Sequence, residues 1–317
     1  MALSYVGKIW VLCCLVASEV CLGCGKGTPN SVLAFVNVGS RPSTDRLYLV
    51  GEDGGTSAWT TTLRDIHNIR GLSVSSDRML LQCDTYAGAE RTTRLILFNV
   101  EPTSDSGEDI KLDEEWAGIP FLYNSGSNIL YLALASGESN VLRLRGIRVG
   151  DRKVLLSIDL SLREGGRRRW SKIVAASAAI QSALLITYEL TPAGVQTTLL
   201  EADLAHGDVR VVGEPSAGIA AATYSPTGDE IAVLTRDGVE TAKRDSSSVW
   251  TLLGPRIPNL HFRGNRIAWC HRGGRLYVPL FNSVAGRSEL WSFDLQTRAW
   301  KEIKAVRDGS IDYVSCV

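Results

Sequence analysis

A strand–turn–strand unit recurs roughly every 40–50 residues from Asn30 to the C-terminus, and this repeat constrains the fold more than any other feature of the chain. The clearest copy runs from Ala222 to Leu234, where the residues Ser225-Pro-Thr-Gly-Asp229 separate two apolar strands. A strand-rich repeat of this length is typical of a β-propeller or a solenoid. Because such scaffolds carry many different functions, the repeat predicts the architecture and leaves the ligand open.

Each copy reads as four short strands, because apolar residues alternate with polar ones between clusters of Gly, Asn, Asp and Ser. Five full copies are predicted to begin near Ile69, Ile119, Lys172, Gly218 and Ile257. The strands left over are three before the first copy and one after the last, at 31–38, 46–50, 56–63 and 311–317. Three plus one complete a sixth copy, in which the first and last strands of the chain share a sheet.

Closing a ring in this way removes the free sheet edges of an open array. We therefore predict an all-β fold, a six-bladed β-propeller over residues 31–317, closed by N- and C-terminal strands in one blade. Seven blades are the alternative. Several tryptophans on the predicted strands are expected to pack between blades, namely Trp269, Trp291 and Trp300.

One turn motif resembles that of a known family. Ser225-Pro-Thr-Gly-Asp-Glu-Ile-Ala-Val233 is similar to the Ser-Pro-Asp-Gly-x-x-Ile-Ala-Phe signature of TolB-type, WD-like six-bladed propellers, with Thr227 in place of the usual Asp. Other copies keep only a turn, at Ser75–Asp77, Ser125–Ser127 and Arg263–Asn265. The resemblance implies the fold and no particular function, because Pro and Gly in these turns set backbone angles.

The N-terminus reads as an export signal followed by a tether. The apolar run from Ile9 to Val20 is short for a transmembrane helix and is typical of a signal peptide. Leu22-Gly-Cys24 resembles the lipobox of bacterial lipoproteins, with Cys21 where that motif usually has Leu, Val or Ile. We predict a signal peptide over residues 1–24, lipid modification at Cys24 and a flexible tether over residues 25–30.

This prediction places the protein on the periplasmic side of a bacterial envelope, attached to the outer membrane by lipid. A secreted protein cleaved nearby is the alternative. Beyond Cys24 the chain has Cys83, Cys270 and Cys316, all in apolar strand patterns. Two interpretations stay open: small buried side chains, or a Cys270–Cys316 disulfide between the last two repeats.

Charge and motifs argue against several functions. Lys plus Arg and Asp plus Glu both number 34, so bulk electrostatics do not support nucleic-acid binding. The chain has no Gly-x-Ser-x-Gly elbow, no phosphate-binding Gly-rich loop with Lys-Ser/Thr, and no Cys-x-x-Cys pair after Cys24. Of the histidines, only His67 and His261 are placed to approach a channel, and their spacing fits no metal motif. We predict neither a metal nor a cofactor.

The predicted binding site is one mouth of the central channel, where loops join the outer strand of one blade to the inner strand of the next. Two of these loops carry charge beside a tryptophan. The basic run suits a carboxylate, a phosphate or an acidic partner surface. The acidic run suits a divalent cation or simply neutralises the basic one, and both runs are also compatible with solvated turns. The candidate residues are Arg167, Arg168, Arg169, Trp170, Asp113, Glu114, Glu115, Trp116, His67 and Arg256.

The sequence therefore predicts a non-catalytic protein-binding or scaffolding propeller of the bacterial cell envelope. Its partner would be an envelope protein or a small acidic ligand. The alternative is a metal-dependent channel enzyme of the lyase, lactonase or cyclase type, which needs three or more acidic or His side chains converging in the channel. A propeller that acts only as a spacer is the third possibility.

Overall fold

The structure is a computed structural model that describes most of the predicted propeller. The described residues are 32–38, 46–51, 55–59, 67–75, 78–87, 90–99, 107–110, 121–124, 127–135, 141–161, 169–177, 180–213, 218–244, 249–264, 266–270, 274–306 and 309–316. The predicted signal peptide and tether, with Cys24, lie outside them. No helix in these ranges has the length and apolar character needed to cross a bilayer.

Within the described ranges, 25 strands form six antiparallel sheets, which we number as blades. Blade 1 contains, from the channel outward, β25 (Gly309–Cys316), β1 (Val32–Val38), β2 (Arg46–Val50) and β3 (Thr56–Trp59). Blade 2 contains β4 (His67–Ser75), β5 (Arg78–Ala87), β6 (Glu90–Asn99) and β7 (Glu108–Asp109). Blade 3 contains β8 (Phe121–Asn124), β9 (Ile129–Ala135), β10 (Val141–Arg148) and β11 (Val154–Ser161).

The other three blades follow the same order. Blade 4 contains β12 (Arg169–Ser177), β13 (Ser182–Thr191), β14 (Gly194–Asp203) and β15 (Val209–Val211). Blade 5 contains β16 (Ile219–Tyr224), β17 (Glu230–Thr235), β18 (Gly238–Lys243) and β19 (Thr251–Pro255). Blade 6 contains β20 (Leu260–Phe262) and β21 (Ala268–Cys270), then β22 (Arg275–Asn282), β23 (Arg287–Asp294) and β24 (Ala299–Val306).

The ring closes as predicted, through a blade built from both ends of the chain. The last strand, β25, pairs antiparallel with the first strand, β1, from Val32 opposite Cys316 to Val38 opposite Gly309. Strand β25 also contacts β4 of blade 2 on one side and β21 and β22 of blade 6 on the other. The prediction of a closed propeller with a shared terminal blade is therefore confirmed.

The hydrophobic core lies between neighbouring blades, because each sheet presents apolar side chains on both of its faces. Between blades 4 and 5, for example, Leu184 and Ile186 pack with Ile231 and Val233. Between blades 5 and 6, the core receives Trp269, Trp291 and Trp300 from blade 6, as their strand positions predicted. Each blade thus needs both of its neighbours to bury its two faces.

The Ser225–Asp229 segment forms the predicted tight turn between β16 and β17. The Ser225 hydroxyl donates to the Asp229 carboxylate at 2.8 Å, and the Gly228 amide donates to the Ser225 carbonyl at 2.9 Å. Gly228 has φ +80° and lies against Ile180, so a side chain at this position would meet both strain and a neighbour. These roles are structural, as expected from the motif.

One predicted turn is wrong. The Arg263–Asn265 segment was expected to join two strands of blade 6; Asn265 lies outside the described residues, and the strands before and after it form one interrupted inner strand. Strands β20 and β21, on its two sides, both pair with β22. Gly264 is buried against Pro279 of β22, and this close contact explains a glycine where no turn joins two strands.

A disulfide joins Cys270 to Cys316, with their Cα atoms 5.4 Å apart. The sequence left two interpretations open for these cysteines, and for Cys270 and Cys316 the structure shows the disulfide. Cys83 is a buried free thiol, and burial raises its pKa to about 12. The bridge links the end of β25 to blade 6 and thereby fastens the blade that closes the ring.

Candidate binding recess in the central channel

The inner strands of all six blades end around a recess of about 450 Å³ in the central channel. A ligand in this recess would contact every blade, although the contributing segments are far apart in sequence. The contributing segments, in chain order, are Ser73–Val74, Leu122–Asn124, Val174–Ser177, Thr223–Pro226, Arg266–Trp269 and Val314–Cys316, and β9 adds Tyr131.

This recess lies at the opposite end of the channel from the predicted mouth. The recess is lined by the carboxyl ends of the inner strands, as at Ser177 on β12. The predicted mouth loops precede the amino ends of the same strands, as at Arg169. Inner strands that all run in one direction put these two sets of residues on opposite faces of the ring.

Arg266 is the one lining residue that carries a formal charge, within the described part of the recess. Serine and threonine hydroxyls, the Asn124 amide and the aromatic rings of Tyr123, Tyr131 and Trp269 make up much of the rest. Openings of a few hundred Å³ with an apolar lining and a few polar groups are typical of ligand sites. The lining therefore offers hydrogen-bonding groups beside aromatic surface.

The local backbone fixes the position of Arg266. It lies within the interruption between β20 and β21, two residues after Gly264, which is held against Pro279. Its Nη1 atom donates to the carbonyl oxygen of Leu72 in blade 2 at 3.1 Å. The side chain thus extends from blade 6 past the closing blade, and burial lowers its pKa to about 10.

Other ionisable groups lie just beyond the recess on the inner strands. On β12, Lys172 lies two residues before Val174, and its Nζ is 5.8 Å from the centre of the Tyr188 ring. Burial lowers the pKa of Lys172, and the nearby charge of Arg266 lowers it further. On β25, burial raises the pKa values of Asp312 and Tyr313. This end of the channel therefore places two cationic groups within electrostatic range of each other.

A charge cluster centred on the buried carboxylate of Glu201 supports one wall of the recess. The Tyr224 hydroxyl donates to Glu201 at 2.9 Å, and Glu201 also accepts Arg244 Nε at 2.6 Å and Arg210 Nε at 2.8 Å. Arg244 donates further to the Ser182 hydroxyl at 3.1 Å. Because Glu201 and Ser182 belong to blade 4, and Tyr224 and Arg244 to the blade 5 segment, the cluster joins two blades beneath the recess wall.

The residues predicted for the mouth are only partly described. Asp113, Glu114, Glu115, Trp116, Arg167 and Arg168 lie outside the described residues. Three others lie at the starts of inner strands. His67 is the first residue of β4, and Arg169 and Trp170 are the first two residues of β12. In the sheet, Arg169 pairs with Glu189 and Trp170 pairs with Tyr188. They are therefore strand residues at the predicted face, not loop residues.

Arg256 is exposed in the segment between blades 5 and 6. Its Nε donates to the Leu260 carbonyl at 3.2 Å, and its Nη2 is 2.8 Å from His261 Nδ1. These contacts are local to the connection between the two blades. The mouth as a binding site stays a prediction.

Sequence reasoning missed the recess and its charged residue. The only signal was an Arg directly after the segment Arg263–Asn265, which was interpreted as a turn. In the described part of the chain, no group of three or more His, Cys, Asp and Glu side chains is placed to hold a metal ion.

The fold and the channel define the chain as a β-propeller with six sheets around a central channel. No protein-family model matches the sequence. No curated protein matches it either. Among solved structures, TolB from Acinetobacter baumannii matches with a TM-score of 0.64 and 11% identity, over 95% of this chain and 71% of that one. A protein assigned as TolB from Agrobacterium tumefaciens matches with a TM-score of 0.56 and 11% identity, over 92% of this chain and 99% of that one. At this identity the likeness concerns the fold, and the fold is the one that the turn motif implied.

Proposed function

We propose that this protein is an exported, non-catalytic binding propeller of the bacterial envelope, and that its partner is bound in the channel recess. The observation that carries the proposal is the convergence of all six inner strands on one recess of about 450 Å³. A site assembled from every blade exists only in the closed ring. This architecture suits recognition by a preformed cavity, which needs little rearrangement on binding.

Export is supported by the chemistry of the cysteines. Disulfides persist in oxidising compartments such as the bacterial periplasm and are rare in the cytosol. The Cys270–Cys316 bridge therefore agrees with the apolar run at Ile9–Val20, which reads as a signal peptide. The two features are independent, because one belongs to the N-terminal segment and the other to the folded domain.

The topology also bears on the proposed lipid anchor at Cys24. Strand β1 begins at Val32, directly opposite Cys316, and Cys316 lines the recess. Residues 25–31 separate Cys24 from this point, and seven residues reach about 25 Å at most when fully extended. A lipid on Cys24 would hold the recess end of the ring close to the membrane, so the partner we propose is an envelope protein associated with that membrane.

A pull-down from solubilised membranes tests the proposal. The recess variant is Thr223→Trp, because Thr223 lines the recess and an indole there would occupy part of its volume. The comparison variant is the double substitution Arg168→Ala and Trp170→Ala, at the predicted mouth. We expect Thr223→Trp to lose the partner and the double variant to keep it, with melting temperatures near that of the wild type. Loss with the mouth variant alone would contradict the recess as the binding site.

A further inference from the structure

We propose that the outer strand of blade 3, β11, binds an extended, acidic segment of a partner polypeptide as an added strand. This surface lies on the rim of the ring, so it is a second interaction site beyond the recess of the proposed function. Strand addition to a sheet edge is a common mode of peptide recognition. Main-chain hydrogen bonds supply its affinity, and side chains supply its specificity.

The outer strands of the six blades differ in how their free edges are protected. Natural sheets protect an edge by keeping the strand short or by placing Lys or Pro on it. As described, β3, β7 and β15 have four, two and three residues, and the five-residue β19 ends in Pro255. Strand β24 has eight residues and carries Lys301 and Lys304, whereas β11 has eight residues and contains neither Lys nor Pro. Among the described outer strands, β11 is therefore the long one without this protection.

The outer side of β11 is exposed. Strand β10 pairs with its inner side, and no described strand pairs with its outer side. Leu156–Ser161 lie in unbroken register with β10, after a register shift at the start of the strand. Val154 and Leu155 are 46% and 41% exposed, and Ser157 is exposed as well. An edge of this kind offers a row of main-chain donors and acceptors beside apolar side chains.

The one charged side chain of β11 is balanced within blade 3. Arg143 of β10 donates from Nε to Asp159 Oδ1 at 2.6 Å and from Nη2 to Asp159 Oδ2 at 2.9 Å. A bidentate pair of this kind places one positive charge beside one negative charge. Asp159 therefore does not give the edge a net negative charge that would repel an acidic segment.

Two exposed cations lie at the start of β11. Arg152 and Lys153 directly precede Val154. The neighbouring carboxylate of Asp151 accepts a hydrogen bond from Arg148 Nη1 at 2.9 Å and another from the Lys153 amide at 3.2 Å. These bonds fix the turn that carries the two cations beside the edge. Opposite charges on neighbouring strands stabilise the pairing, so carboxylates on the added strand are favoured at this end.

The orientation of the added strand decides where its acidic residues lie. All neighbouring strands of blade 3 pair antiparallel, and antiparallel pairing is slightly more stable per residue than parallel pairing. In an antiparallel addition, the residues opposite Lys153 and Arg152 come last in the partner's strand. We therefore expect a segment of β-branched residues followed by two carboxylates.

The edge and the recess lie at opposite sides of the blade 3 sheet. Strand β8 contributes Leu122–Asn124 to the recess, and β11 is three strands further out. At a strand spacing of about 4.8 Å, roughly 14 Å separates β11 from β8, so both sites can be occupied at once. Strand β11 offers eight residues, against about 20–30 per side in a standard interface, and we expect weak, reversible binding.

The experiment uses the purified protein and four peptides. The parent peptide is acetyl-Thr-Val-Lys-Val-Thr-Val-Thr-Ser-Glu-Glu-amide, and the second peptide has Lys-Lys in place of Glu-Glu. The other two are the parent with N-methyl groups on one or the other alternating set of amides. Binding is measured by fluorescence anisotropy of labelled peptides and located by hydrogen exchange in β11.

The four peptides should bind differently. We expect the parent to bind at least about tenfold more tightly than the Lys-Lys peptide, because two attractive charge pairs become repulsive. One methylated peptide should bind like the parent and the other should not bind, because successive residues of a strand direct their amides to opposite sides. Hydrogen exchange should slow in β11 when the parent binds.

Variants locate the charges. Arg152→Glu combined with Lys153→Glu should weaken binding of the parent by about tenfold or more and strengthen binding of the Lys-Lys peptide. The matched control is Lys301→Glu combined with Lys304→Glu on β24, which should bind both peptides like the wild type. Thr223→Trp in the recess should also bind them like the wild type, so failure of this inference is distinguishable from failure of the proposed function.

Several results would overturn the inference. They are no binding of the parent, equal binding of the two methylated peptides, equal binding of the Glu-Glu and Lys-Lys peptides, and slowed exchange in a strand other than β11. A concentration-dependent dimer that excludes the parent peptide would assign the edge to a second copy of the chain and would also overturn it. If the Arg152 and Lys153 double variant does not fold, the two methylated peptides and the Lys-Lys peptide on the wild type still decide.

Discussion

Removing the Cys270–Cys316 disulfide should destabilise the ring at its point of closure. The bridge joins residues 46 apart in sequence and connects the last strand, β25, to blade 6. The perturbation is the double substitution Cys270→Ala and Cys316→Ala, or reduction of the wild type. In both cases β25 remains paired with β1 but loses its covalent link to the neighbouring blade.

The size of the effect follows from the loop that the bridge closes. For a separation of 46 residues, the loss of chain entropy in the unfolded state is about 14 cal/mol/K, or roughly 4 kcal/mol at 25 °C. A domain of about 285 residues has an unfolding entropy on the order of 0.6 kcal/mol/K near its melting temperature. The melting temperature should therefore fall by about 7 °C.

The assay compares calorimetric melting with and without a phosphine reductant. The wild type should show the fall on reduction, and the double variant should melt near the reduced wild type in both conditions. Cys83→Ala is the control, because Cys83 is a buried free thiol and its removal should leave the reductant-dependent shift intact. Hydrogen exchange should also show faster exchange in β25 than in β17 of blade 5 after reduction.

Two results would refute this reasoning. A shift of less than about 1 °C on reduction would mean that the bridge does not constrain the unfolded chain as calculated. A reductant-dependent shift of full size in the double variant would mean that another group is responsible.

Three further predictions concern other residues. Gly238 has φ +148°, and a Cβ there would collide with the Gly254 carbonyl. Gly238→Ala should therefore lower the free energy of unfolding in urea by about 3–5 kcal/mol, whereas Gly274→Ala, with open space at φ +58°, should lower it by about 1 kcal/mol. Equal losses in the two variants would contradict this account. Glu201→Gln should lower the free energy of unfolding by about 3 kcal/mol, because two arginines would lose a buried partner, and a change below about 1 kcal/mol would show that the cluster is dispensable. Burial raises the pKa of Asp312 above 3.8, so the folded state binds the Asp312 proton more tightly than the unfolded chain does. The resulting contribution to the free energy of unfolding is present below pH 3.8 and is lost as the pH rises through the raised pKa. A pH series of unfolding curves should show that loss in the wild type and not in Asp312→Asn.

The ring and its closure could be predicted from the sequence because they follow from local patterns that add up along the chain. Strand alternation and turn residues marked each blade, and the strands left at the two ends matched in number. The same local reasoning failed at Arg263–Asn265, since a Gly-Asn pair between apolar segments reads as a turn. The packing of Gly264 against Pro279 is a contact between strands, and no local pattern shows it.

The recess could not be predicted for a related reason. Its walls come from the last residues of six inner strands, so Ser73, Tyr123 and Arg266 become neighbours only when the ring closes. The charge runs at Arg167–Trp170 and Asp113–Trp116 attract attention because they are contiguous in sequence. A single arginine with a fixed orientation, the one charged residue in the described lining of the recess, has no comparable sequence signature.

Photocrosslinking in cells tests the central claim most directly, because it compares the two ends of the channel in the intact envelope. Benzoylphenylalanine is placed at Trp269, which lines the recess, or at Ala193, an exposed residue of the β13–β14 turn at the opposite end of the ring. We predict a specific adduct with an envelope protein from position 269 and none from position 193. An adduct from position 193 alone would contradict the recess as the binding site.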